Sequence, residues 1–159
     1  MIQSCFVRNC LTGTDVIPHH VGCAVQQLEQ SVEIYTDAFG LQMRSRVIEV
    51  RSQGVCVSFI RLAASFYLEF VMPTGDQARL ASYLKTGFYH LCFLVEDLSV
   101  ARDQLKARHF SPLPAFRSEA FAGAACQFFL SPQLHLIELA AISPQSFDTF
   151  FMDNLEQHR

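Results

Sequence analysis

The chain has 159 residues, half of them hydrophobic and 15 of them Phe, with a net charge of −3 and a pI near 6.0. That is material for one compact domain, or for two small modules sharing a core. No Lys/Arg cluster marks a nucleic-acid or membrane footprint, and no stretch is long and apolar enough to cross a bilayer, which sets those classes of partner aside. The six Cys, at 5, 10, 23, 56, 92 and 126, form no C-x-x-C pair. Four of them (Cys23, Cys56, Cys92, Cys126) lie in strand-like apolar runs, where Cys behaves as a small hydrophobe, so a disulfide framework is the weaker reading. The first residues lack a basic segment followed by an apolar run. No signal peptide is expected, and a reduced, cytoplasmic protein is.

Residues 1–17 read as an N-terminal extension. A first module spans 18–75. It opens with a strand at 18–26, followed by a helix with Leu28, Val32, Tyr35 and Phe39 at helical spacing and Gly40 as its stop. Strands follow at about 41–50, 54–62 and 65–72, with a tight turn at Ala63-Ala64 and a break at Pro73-Thr74-Gly75-Asp76. Residues 76–87 are a connection with a short helix around 77–85. The second module, 88–142, repeats the order: a strand at 88–96, a helix showing Leu98, Ala101 and Leu105 on one face, then strands near 112–117, 124–130 and 134–140. Residues 143–159 form a C-terminal helix with Phe147, Phe150, Phe151 and Leu155 on one side, which must cover this chain's sheet or a neighbour's; a homodimer is compatible with it. Arg44, Arg46, Arg51 and Arg61 read as a solvated rim, with an anionic substrate tail as the weaker reading.

The two modules match residue by residue. His20-Val21-Gly22-Cys23 aligns with His90-Leu91-Cys92-Phe93 at an offset of 70, and Leu68-Glu69-Phe70 aligns with Ile137-Glu138-Leu139 at an offset of 69. Cys56 and Phe59 match Cys126 and Phe129 or Phe128 at nearly the same shift. The fold class expected is α+β: two tandem βαβββ modules whose sheets curl together, helices outside and a metal-containing cavity inside. Strand alternation assigns the faces. Leu68, Phe70, Ile137 and Leu139 go to the helices; Tyr67, Glu69, Val71, Leu136, Glu138 and Ala140 go to the cavity. His20 and His90 fall on the concave side with Gly22, Ala24 and Cys92, and His19 falls on the opposite face.

Taken singly, a His at a strand start or a Glu in a strand is ordinary. The repeat changes this, because burying a carboxylate in a run such as Tyr67-Leu68-Glu69-Phe70-Val71 is costly without a partner, and the chain does it twice beside two symmetric histidines. His20, Glu69, His90 and Glu138 are therefore the candidate metal ligands, with Glu69 and Glu138 the candidate catalytic groups. The mixed N/O shell suits Co, Ni, Mn, Zn or Fe, and the affinity order does not choose among them. Four protein ligands leave two octahedral positions for substrate oxygens, a Lewis-acid arrangement that stabilises an enolate, while a carboxylate moves a proton on the carbon next to the carbonyl. The partner is then a small-molecule substrate such as an acyl thioester.

At these residues the chain resembles the vicinal oxygen chelate superfamily, which includes glyoxalase I, methylmalonyl-CoA epimerase, extradiol dioxygenases and metal-free bleomycin-resistance proteins. The resemblance spans residues 18–141 and is strongest to the epimerase branch, through Gln53-Gly54-Val55, Leu68-Glu69-Phe70-Val71-Met72-Pro73, Ala81-Ser82-Tyr83-Leu84, Phe129-Leu130-Ser131-Pro132 and Leu136-Ile137-Glu138-Leu139. It implies the βαβββ pair, and it puts His20, Glu69, His90 and Glu138 on the four ligand positions of a metal-dependent isomerase or epimerase. The alternatives it leaves are a glyoxalase I-type lyase on the same ligands, an Fe(II) oxygenase using His20, His90 and Glu138, or a non-catalytic binding module of the same fold. The chain departs from the epimerases in having Tyr89-His90 where they show two histidines. It also has no acid on Val55-Cys56-Val57-Ser58-Phe59 and a short loop at Gln133-Leu134.

Overall fold

The computed structural model describes residues 15–75, 78–79, 81–82 and 84–156. The strands are β1 (Ile17–Ala24), β2 (Ile48–Val50), β3 (Val55–Ala63), β4 (Phe66–Pro73), β5 (Gly87–Leu94), β6 (Ser111–Pro112), β7 (Phe116–Ser118), β8 (Ala124–Leu130) and β9 (Leu136–Ala140). The helices are α1 (Leu28–Phe39), α2 (Leu98–Lys106) and α3 (Pro144–Asp153). All strands join one sheet in the order β2-β3-β4-β1-β5-β9-β8-β6, with β7 also on β8. β1 pairs β4 in parallel, β5 pairs β9 in parallel, and β1 and β5 run antiparallel at the seam. The order therefore reads the same from either end, which is the duplication expressed as topology.

Three apolar clusters follow from strand alternation. Leu68 and Phe70 pack under α1 through Leu28 and Val32. Phe129 and Leu139 pack under α2 through Ala101. The other face of every central strand lines a third cluster inside the curve, including Val57, Phe59, Tyr67, Cys92, Phe121 and Phe128. Helix ends follow the usual chemistry. Gly40 takes the left-handed conformation that stops α1, and the Asp97 carboxylate accepts from the Ser99 and Val100 N–H groups at the start of α2.

The C-terminal helix covers this chain's own core. Ser143 caps it, Pro144 occupies its first turn, and Phe147 and Phe151 are buried among the inner aromatics. The arginines expected as a solvated rim mostly clamp this segment. Arg44 pairs with Glu156 at 2.6 Å, Arg46 Nε donates to Asn154 Oδ1 at 2.8 Å, and Arg61 donates to Asp148 at 3.0 Å and to the Tyr67 hydroxyl at 2.8 Å. Tyr67 in turn donates to Asp148. Arg51 takes no part in this clamp and lies beside Glu49.

Three expected elements differ. Over 41–50 only Ile48–Val50 is a ladder strand, because Ser45 N–H goes to Phe59 while Arg46 N–H goes to Asn154, so the segment alternates between two partners. The single strand expected at 112–117 splits into β6 and β7 around Pro112 and Pro114, which have no N–H to give. The helix expected around 77–85 is, over its described residues, a run of turns: Ala81 N–H bonds to Ala78 and Leu84 N–H to Ala81, while Arg79 N–H leaves for Gln53. The remainder of that helix, and residues 1–14 of the expected extension, lie outside the described residues.

Phe147 is fully buried where α3 meets the sheet. Phe147→Ala is expected to cost about 3–5 kcal/mol from lost burial and the cavity left behind. Urea unfolding checks this, and a change within error would mean that α3 is not part of the cooperative core.

Candidate metal centre

The seam sets the site through two rows of paired residues. In one row Glu69 (β4) lies beside Gly22 (β1), which lies beside His90 (β5). In the other His20 (β1) lies beside Cys92 (β5), which lies beside Glu138 (β9). Each row is an imidazole and a carboxylate flanking a small residue, and each joins one module to the other. Neighbouring strands are about 4.8 Å apart, so the outer two side chains of a row can lean in and meet above the middle strand. Gly22 needs to be glycine for this. A Cβ there would fall 2.3 Å from Cε1 of the His90 ring, which lies flat against the backbone.

The four side chains expected from the repeat converge. His20 Nε2 is 2.8 Å from His90 Nε2. Glu69 Oε2 is 3.3 Å from His20 Nε2 and 3.4 Å from His90 Nε2, and Glu138 Oε2 is 3.6 and 3.2 Å from the same atoms. Around a divalent ion with bonds of about 2.0–2.2 Å, adjacent N/O donors stand roughly 3 Å apart, so the donor set fits such an ion. All four residues are buried.

Their protonation reflects that burial. Burial pushes the Glu69 carboxyl up to about 8, against the charge of His90 and with that of Glu138. Burial also works to raise Glu138, but a hydrogen bond from His90 and the His90 and His20 charges outweigh it and hold this carboxyl down. Burial works to lower His90; the Glu138 hydrogen bond and the charges of Glu138 and Glu69 reverse that and raise it. His20 is held down to about 3, first by burial and then by His90. Glu69 thus retains its proton well above the usual carboxyl range, while Glu138 loses its own below it.

His19 is not on the opposite face. It is buried, its Nδ1 is 2.9 Å from His20 Nδ1, and its ring packs on Phe59, Tyr67, Phe121 and Phe147. The cause is a β-bulge. Pro18 pairs with Phe93 and His20 with Cys92, so His19 is an extra residue that inverts the alternation. The second module repeats the device: Gly22 pairs with His90 and Cys23 with Phe88, leaving Tyr89 as the extra residue. Tyr89 turns inward beside His90, ring centroids 4.7 Å apart. Strand alternation read from sequence cannot show a bulge; the one hint was that His19 and Tyr89 align.

The two sides of the centre are unequal. On the His19 side, Phe147 of α3 fills the interior. On the Tyr89 side a small cavity of about 30 Å³ reaches Glu69, His90 and Glu138. Val55, Val57, Val71, Phe116 and Phe128 wall it, and Gln53, Tyr89 and Ser118 are its polar additions, none foreseen as site residues. Burial, with the charges of Glu138 and Glu69, raises the Tyr89 phenol, so it stands there as a hydrogen-bond donor.

Residues 19–130 match the profile of the Glyoxalase/Bleomycin resistance protein/Dioxygenase superfamily. The chain belongs to that superfamily. Among its relatives, the ethylmalonyl-CoA/methylmalonyl-CoA epimerase of Cereibacter sphaeroides is 34% identical over 92 residues, 55% of this chain and 67% of that protein. The mitochondrial methylmalonyl-CoA epimerase of Mus musculus is 30% identical over 99 residues, 60% of this chain and 54% of that protein. The chain thus spans about half the length of the mitochondrial relatives it matches. The crystal structure of methylmalonyl-CoA epimerase from Mycobacterium tuberculosis shares the superfamily fold, with a TM-score of 0.68 at 23% identity over 80% of this chain and 89% of that one.

Gly22→Ala is expected to lower stability by about 1–3 kcal/mol through overpacking against His90; an unchanged urea midpoint would mean that the ring turns aside freely. A pH profile tests the buried groups. Glu69 keeps its proton to about 8 in the fold against 4.5 ordinarily, so its contribution is whole below 4.5 and lost as pH rises through 8. His90, raised, acts in the same direction. His19 and His20, lowered to about 2 and 3 from 6.5, oppose protonation, so their contribution is lost as pH falls below 6.5. Metal-free protein should therefore melt at lower temperature as pH rises from 6.5 to 8, and Glu69→Gln should flatten that limb. A profile that rises over this range in chelator would contradict the assignment.

Proposed function

We propose that the chain is a metal-dependent isomerase or epimerase that moves a proton on the carbon next to a carbonyl or acyl thioester, with His20, Glu69, His90 and Glu138 holding a first-row divalent ion. The observation that carries this reading is the convergence of two buried carboxylates and two imidazoles at 2.8–3.6 Å. The likeness to methylmalonyl-CoA epimerases supports an acyl-CoA as the small-molecule substrate. A bound ion would supply Lewis-acid polarisation of the carbonyl oxygen. The chain's own residues do the rest. Oε2 of each Glu faces the imidazoles, which leaves a second oxygen on each for the substrate proton. Glu138 is the base, and Glu69, across the centre from it, the second carboxylate able to carry the proton. Among the described residues, the ionisable groups lining the cavity are Glu69, Tyr89, His90 and Glu138; Val55 and Val57 stand on the wall where some epimerases carry a further acid. Proton traffic therefore runs through the quartet, and Tyr89 orients a substrate oxygen by donation.

Elemental mass spectrometry and exchange of the α-proton of methylmalonyl-CoA in D₂O test this together. Stoichiometric metal is expected in the wild type, with Glu138→Ala losing it and slowing exchange by about 100-fold or more. Full metal and full exchange in Glu138→Ala would overturn the assignment. Binding should also release protons, so affinity should rise with pH up to about 8 as Glu69 is deprotonated; a pH-independent dissociation constant would argue against Glu69 as a ligand.

A further inference from the structure

Of the two imidazoles at the centre, only His20 has a polar partner on its Nδ1. Its Nδ1 lies 2.9 Å from His19 Nδ1, within hydrogen-bonding distance. His90 Nδ1 is buried with no partner, and its ring is held instead by the bare backbone of Gly22. Two ring nitrogens at such a distance share one proton, one donating and one accepting. The direction follows from the chemistry of the centre. If His19 donated, His20 would carry its proton on Nε2 and could not offer that atom to a cation. If His20 donates, Nε2 presents its lone pair toward Glu69, His90 and Glu138.

We infer that His19 is a positioning residue, accepting the Nδ1–H of His20 and thereby locking His20 in the tautomer and orientation that turn Nε2 to the centre. The inference rests on the reading of His20 as a ligand. The Nε2 of His19 is buried without a polar partner, and Phe147 stands edge-on 4.1 Å away at 83°. The ring cannot turn to another bond, so the pairing with His20 is the polar contact it keeps. Ligand histidines usually give their second N–H to a carboxylate, a carbonyl or water. Here a carboxylate would put a third negative charge beside Glu69 and Glu138, where a divalent ion neutralises two. An imidazole accepts the same hydrogen bond without adding charge. The bulge is what makes this possible, since regular alternation would point His19 away from His20.

The test compares His19→Leu with His19→Asn, two side chains of similar shape of which only Asn can accept. Zn²⁺ dissociation constants are read by competition with a chromophoric chelator. His19→Leu should bind about 10–100-fold more weakly, and His19→Asn should return close to wild type. Long-range ¹⁵N–¹H spectra of wild-type protein should show the His20 proton on Nδ1 both with and without Zn²⁺, a readout that needs no variant and survives if His19→Leu fails to fold. Wild-type affinity in His19→Leu, or a His20 proton on Nε2, would overturn the inference. His20→Ala separates the two levels: retained affinity there would sink the metal centre itself, and the tautomer in metal-free protein would still decide the role of His19.

Discussion

Two carboxyl groups held away from water beneath a curved sheet are the constraint on which the remaining features depend. A buried carboxylate is costly unless positive charge or a proton accompanies it. Here the pair is answered by imidazoles, by a retained proton on Glu69, and by a donor geometry suited to a cation. The neighbouring residues are arranged around that necessity. Gly22 yields space for the His90 ring, Cys92 keeps the matching place in the other row small, and the aromatic lining keeps competing solvent from the imidazoles.

Much of this was legible from periodicity. The offset of about 70 residues exposed the duplication, and alternation put Leu68, Phe70, Ile137 and Leu139 under the helices, where they lie. It also brought His20, Glu69, His90 and Glu138 to one concave face. What stayed hidden are features with no period. A one-residue bulge reverses alternation locally, and so His19 and Tyr89 face inward against expectation. Among the described residues of 78–84, the Arg79 N–H is claimed by Gln53 of a distant loop, and turns stand where a helix was expected. The arginines look like a solvated rim until α3 folds back and supplies Asp148, Asn154 and Glu156 to meet them.

The helix α3 also breaks a symmetry that the sheet preserves. The two bulge residues are related by the pseudo-twofold, yet one is enclosed by Phe147 and the other borders an open cavity. A symmetric set of four side chains thereby acquires one approachable side. That side is lined by Gln53, Tyr89, Ser118 and the valines and phenylalanines around them.

The rows that cross the seam tie the two repeats to each other. Each pairs a side chain from one copy of the repeat with a side chain from the other, so neither copy completes a row by itself. Because both copies lie on one polypeptide, the two ends of the axis are free to differ. The imidazole at position 19 and the phenol at position 89 record that freedom: equivalent places, one turned into a buttress and the other into a doorway.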